Sequence, residues 1–107
     1  MAEGRYSAHM AYILYFLAGL IFANGVPHFV KGIMGERHDT PLKGPSGAML
    51  NVVWGTANLF VAGWLWLYAS IMPQALGFAL VAFFLGILVA GITLAKRFEA
   101  DRREAQF

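Results

Sequence analysis

Five polar side chains, Asn24, His28, Asn51, Asn58 and Thr93, stand inside stretches of sequence that are otherwise apolar. A polar residue in such surroundings needs a hydrogen-bonding partner and tends to face the interior of a helix bundle. Histidine adds a second capacity, because its ring titrates near neutral pH and can donate or accept. Asn51, Trp54 and Asn58 follow one another at spacings of three and four, so on a helix they share a face. Gly55 beside them admits a neighbouring backbone. Asn24 and His28 stand four apart, across Pro27. These residues could form a hydrogen-bonded clasp between helices, worth about 0.6 to 2 kcal/mol per bond. They could equally line a small inward-facing site for a head group, solute or ion, centred on His28.

Three apolar runs must position them, at residues 8–30, 48–70 and 74–95, and none contains Asp, Glu, Lys or Arg. A bilayer core about 30 Å thick needs about 20 apolar residues to cross it, and each run is long enough. Charged residues make up 13% of the 107, where a soluble domain carries about a quarter. The fold class expected is therefore all-α: a single membrane domain over 1–107, built as a bundle of three transmembrane helices. A loop over 31–47 and a charged tail over 96–107 complete it. There is no cysteine, which excludes disulfides, thiolate metal sites and iron–sulfur clusters within the chain. The first run exceeds the h-region of a signal peptide and no A-x-A-like site follows it, so it reads as a retained helix.

Charge orients the bundle. Lys31, Arg37 and Lys43 lie between the first two runs, and Lys96, Arg97, Arg102 and Arg103 follow the third. Arg5 alone precedes the first run. Basic residues favour the cytoplasmic side, which places the N-terminus outside and the C-terminus inside, with these seven facing anionic lipid. Tyr6, Tyr12 and Tyr15 at the outer end of the first run, and Trp64, Trp66 and Tyr68 toward that of the second, then fall toward the outer interface, where amphipathic rings are favoured. This topology brings Asn24, His28, Asn51, Asn58 and Thr93 to comparable depth in the inner half.

Local signals set the element ends. Ser7 and Ser46 are expected N-caps, Gly35 an expected C-terminal glycine, and Pro27 an expected kink. Residues 36–47 hold two prolines and two glycines and read as loop. Met72 and Pro73 leave so short a turn that the second and third helices are expected to pair as an antiparallel hairpin. Pro73 fits a first helical turn. The third helix is expected to continue as a charged stalk, with Glu99 and Arg103 four apart. Gly19 with Ala23, and the row Ala82, Gly86 and Ala90, let backbones approach closely, either within this chain or between subunits.

Other chemistries find less support. Glu36, His38 and Asp39 have the types of metal ligands, but a site needs three or four that converge. Asn24-x-x-x-His28 resembles the small-x-x-x-His pattern by which antenna helices ligate bacteriochlorophyll, although Asn is not the usual small residue and antenna chains have one span. Haem ligation through His28 lacks a second intramembrane histidine for bis-histidine binding. The chain is about as long as the small multidrug-resistance transporters, but those have four helices and a membrane-embedded glutamate. No nucleophile–base pair or phosphate-binding glycine loop is present, so no catalytic activity and no cofactor are expected. The basic residues flank spans rather than forming a nucleic-acid surface.

The stretches Asn24-Gly25-Val26-Pro27-His28-Phe29 and Asn51-Val52-Val53-Trp54-Gly55-Thr56-Ala57-Asn58 resemble a pattern found in small bacterial membrane proteins of unknown function. The resemblance implies a multi-pass protein of the bacterial inner membrane and carries no activity. Taken together, the residues point to a non-enzymatic membrane protein acting as a homo-oligomer or as an accessory subunit. A small channel or carrier centred on His28 is the alternative.

Overall fold

A computed structural model describes residues 8–42 and 45–105. Ser7, Arg5, Tyr6 and Lys43 lie outside the described residues. Three helices form the molecule: α1 (Ala8–Ile33), α2 (Ala48–Ser70) and α3 (Leu76–Ala105). Each is long and apolar enough to cross a membrane, which makes this a multi-pass membrane protein. Between α1 and α2, β1 (His38–Asp39) pairs antiparallel with β2 (Pro45–Ser46), His38 opposite Ser46. The 36–47 segment is thus a small hairpin rather than open loop.

α1 lies between the other two helices and packs along both. It runs antiparallel to α2, with Tyr15 against Trp66 and Asn24 against Asn58. It runs parallel to α3, with Tyr12 against Phe78 and Phe22 against Phe83. The expected antiparallel α2–α3 hairpin is present, but its two arms do not pack along their length. The two helices are antiparallel and joined by a short turn, yet they scarcely touch except near that turn, where the Trp66 and Phe83 rings stand 5.1 Å apart.

Glycines explain the arrangement. A Cβ at Gly19 would lie 2.0 Å from the Phe83 carbonyl oxygen, and one at Gly86 would lie 2.1 Å from that of Phe16. On another side of α1, Gly25 and Gly32 meet Gly55 and Val52 of α2 at comparably short range. α1 therefore offers a backbone-deep seat to each neighbour. Gly25 and Gly32 escape a search for four-spaced small residues, being seven apart. Ala23, Ala82 and Ala90 are all half-buried, and Ala82 packs against the cluster of Tyr15, Ala69 and Ala79.

The helix ends are also specific. α1 runs unbroken through Pro27 and ends in a Schellman motif. Gly35 takes φ +75°, its N–H bonds the Gly32 carbonyl, and the Glu36 N–H bonds the Lys31 carbonyl. Ser46 does not cap α2. Gly47 holds that position with no side-chain bond, because the Ser46 hydroxyl, one residue further out, is engaged by Thr40 at 2.7 Å. α3 begins at Leu76, so Pro73 lies in the turn and not in the helix. The Tyr12 hydroxyl accepts from the Ala75 N–H at 3.0 Å and so covers one of the donors exposed at the start of α3. α3 continues as a charged helix past Ala95, with Arg103 paired to Glu99.

The aromatic belt is corrected in part. Trp64 and Tyr68 are 58% and 48% exposed, as interfacial rings would be. Tyr15 is buried against Trp66, ring centroids 4.6 Å apart, and both belong to the core between helices.

Candidate functional site at the loop end of the bundle

The end that carries the 36–47 hairpin holds most of the buried polar groups. Asn51, one turn into α2, is fully buried and holds that end together. Its Nδ2 donates to the carbonyls of His38, Ser46 and Gly47 at 3.0, 2.9 and 3.0 Å. Carbonyls only accept, so this edge of the amide must be the NH2 group. Its Oδ1 faces His28 Nδ1 at 3.0 Å and can only accept, so Nδ1 carries a hydrogen. In the neutral ring the lone pair is therefore on Nε2.

One turn toward the middle of the bundle, Asn24 Nδ2 donates to Asn58 Oδ1 at 3.3 Å, and Asn58 Nδ2 donates to the Trp54 carbonyl at 2.9 Å. Four of the five polar span residues thus pair across the α1–α2 seam. Thr93 does not join them. It is exposed, and its hydroxyl donates to the Val89 carbonyl of its own helix at 2.8 Å. The Trp54 Nε1–H is buried and has no partner among the described residues. Leaving such a donor unpaired costs about 1–3 kcal/mol.

These groups border two adjoining cavities of 250 and 320 Å³, both lined by Asn24, His28, Asp39 and Arg97. The first adds Arg37 and His38 from the hairpin side and Phe98 and Asp101 from α3. The second adds Thr40, Pro41 and Trp54. The separation of α2 from α3 at this end leaves the space that the hairpin partly roofs.

Arg37 and Arg97 thus line a cavity instead of only facing lipid, and Lys31 is paired with Glu36 at 3.2 Å. Lys96 and Arg102 are exposed. The α3 contribution carries a sequence signal that reasoning from net charge passes over. Leu94, Arg97, Phe98 and Asp101 repeat at three, one and three, one continuous helical face below Ala90. The hairpin residues carry no such signal, because their position depends on what Asn51 holds. Among the described residues no three His, Asp or Glu side chains converge as a metal site.

His38 stands edge-on between His28 and Phe98, with ring centroids 4.9 and 5.1 Å away. Burial pushes its pKa below the ordinary 6.5, helped by His28, Lys31 and Arg97 and opposed by Asp39. Between the folded and unfolded values the unfolded chain binds more protons, so His38 makes stability rise with pH there. The associated stability is lost as pH falls from 6.5 through the lower folded value. The His38 ring should titrate with a midpoint below 6.5 by NMR, and His38→Gln should reduce the acid lability of the loop end. A midpoint at or above that value would contradict the packing described.

The chain matches no known family model, no curated protein and no solved structure. Its function has to be argued from the site.

Proposed function

We propose that this is a non-enzymatic protein of the bacterial inner membrane, a small carrier or binding subunit whose inward-facing polar site is centred on His28. The N-terminus lies outside and the C-terminus in the cytoplasm, because Lys31, Arg37, Lys43 and the basic residues of the α3 tail gather at the loop end. One observation supports the binding reading above all. His28 and Asn24 line both cavities within the apolar part of the helices, and His28 spends only its Nδ1 on Asn51. Polar groups in a span mark pathways and ligand sites where they are not all used up in holding helices together. Here the Asn51 amide is fully engaged, whereas His28 Nε2 has no hydrogen bond among the described residues.

The accessory-subunit or homo-oligomer reading has its own support. α2 and α3 stand apart along most of their length, and Gly63 and Gly91 on them have open space where a Cβ would be. Gentle extraction from native membranes and native mass spectrometry distinguish the two. The binding reading predicts a non-covalent small-molecule adduct that falls at least about tenfold in occupancy in His28→Ala, the equivalent of one lost buried hydrogen bond. A defined protein partner, with no adduct that depends on His28, would instead establish the subunit reading. Visible absorption of the same sample would reveal haem or a bacteriochlorophyll.

A further inference from the structure

The polar cavity does not end at its polar walls. Trp54, a wall of the second cavity, also borders an apolar seam of 240 Å³ lined by Ile21, Ala57, Asn58 and Val61. Ile21 lies one turn from Asn24 toward the middle of α1, and Val61 lies two turns from Trp54 in the same direction on α2. The seam therefore leads from the polar end of the bundle toward its midplane, the course an acyl chain follows from its head group.

The charges on the polar end are balanced. Arg37 and Arg97 line it together with Asp39 and Asp101, and His38 is biased toward its neutral form. A purely anionic guest would meet two carboxylates and a purely cationic one two guanidinium groups. A zwitterion satisfies both signs.

We infer that cavity and seam together hold one glycerophospholipid whose head group carries a phosphate and a primary ammonium. The phosphate sits toward Arg97, the ammonium toward Asp39, and an acyl chain lies along Ile21, Ala57 and Val61. This rests on the binding function proposed above and names its ligand class.

The test uses the full chain, delipidated in detergent, with native mass spectrometry as the readout. It is titrated separately with dioleoylphosphatidylethanolamine, dioleoylphosphatidylglycerol and soluble phosphoethanolamine. The expected result is one phosphatidylethanolamine per chain, bound at least about tenfold more tightly than phosphatidylglycerol, a difference of about 1.4 kcal/mol. Asp39→Asn should remove that preference, and Arg97→Gln should weaken both lipids. Both positions are exposed, so folding is not at stake, and unchanged helicity by circular dichroism checks this. Ala57→Trp, which obstructs the seam, should weaken the lipid.

Equal binding of the two lipids, unaltered by Asp39→Asn, would overturn the inference in favour of ordinary annular lipid. Phosphoethanolamine binding as tightly as the lipid, with Ala57→Trp silent, would also overturn it while leaving a polar-solute site intact. No binding of any probe, together with native extracts that lack an adduct dependent on His28, would remove the proposed function as well.

Discussion

Gly86→Val should force α1 and α3 apart. The added carbons would begin at a Cβ only 2.1 Å from the Phe16 carbonyl oxygen and 3.1 Å from Gly19 Cα. Both are backbone atoms of a helix, and neither can swing aside as a side chain could. Overpacking a core commonly costs about 1–3 kcal/mol. This site belongs at or above the top of that range, because relief requires a whole helix to move. The Phe22–Phe83 contact, at 5.8 Å between centroids, and the α3 wall of the cavity would go with it. Spin labels at the loop ends of α1 and α3 should report a longer distance, and the thermal midpoint should fall by several degrees. Gly91→Val supplies the control, since its Cβ meets nothing within 4 Å. Two variants with the same midpoint and the same interhelical distance would refute the crossing.

Asn51→Asp should release the 36–47 hairpin while leaving the bundle assembled. The substitution keeps an oxygen for the His28 Nδ1–H and loses both amide hydrogens. The carbonyls of His38, Ser46 and Gly47 would then face a carboxyl group in place of a donor. Each buried group left unpaired costs about 1–3 kcal/mol, and several are stranded together, so a loss of at least about 3 kcal/mol in the docking of the hairpin is expected. That is a change of more than a hundredfold in its opening equilibrium. Backbone amides around 38–46 should exchange with deuterium correspondingly faster, and trypsin should cut at Arg37 more readily. Asn51→Leu should release the hairpin as well and additionally break the His28 pair. Exchange rates unchanged in Asn51→Asp would show that the β1–β2 ladder and the Thr40–Ser46 bond hold the hairpin by themselves.

The two predictions concern one object. Gly19 and Gly86 set how closely α3 approaches α1, and Asn51 sets where Arg37, His38 and Asp39 stand. The cavity is the space left between those two constraints. A change at either should alter ligand binding without touching a group that lines the site.

The sequence by itself determined the three spanning helices, because a chain in hydrocarbon must satisfy its backbone internally and a charge-free run of this length does so as a helix. It also determined which polar residues share a face. Asn24 with His28, and Asn51 with Trp54 and Asn58, follow from helical spacing alone. Only the tertiary structure decided which faces meet. The short turn after Ser70 suggested that α2 and α3 would pack together, yet close backbone approach at Gly19, Gly25 and Gly32 placed α1 between them. Thr93 had the right depth and the wrong azimuth, while Arg37 and Arg97, read from charge as belonging to the membrane surface, were turned toward the cavity. Ser46 had the type and position of a cap, but a hydroxyl bonds whatever stands nearest in space, and that was Thr40. Asn51 makes the expected interhelical bond, to His28, and anchors a hairpin as well. Of the three carbonyls it holds, that of His38 lies 13 residues back in the chain, a partner that no local spacing encodes.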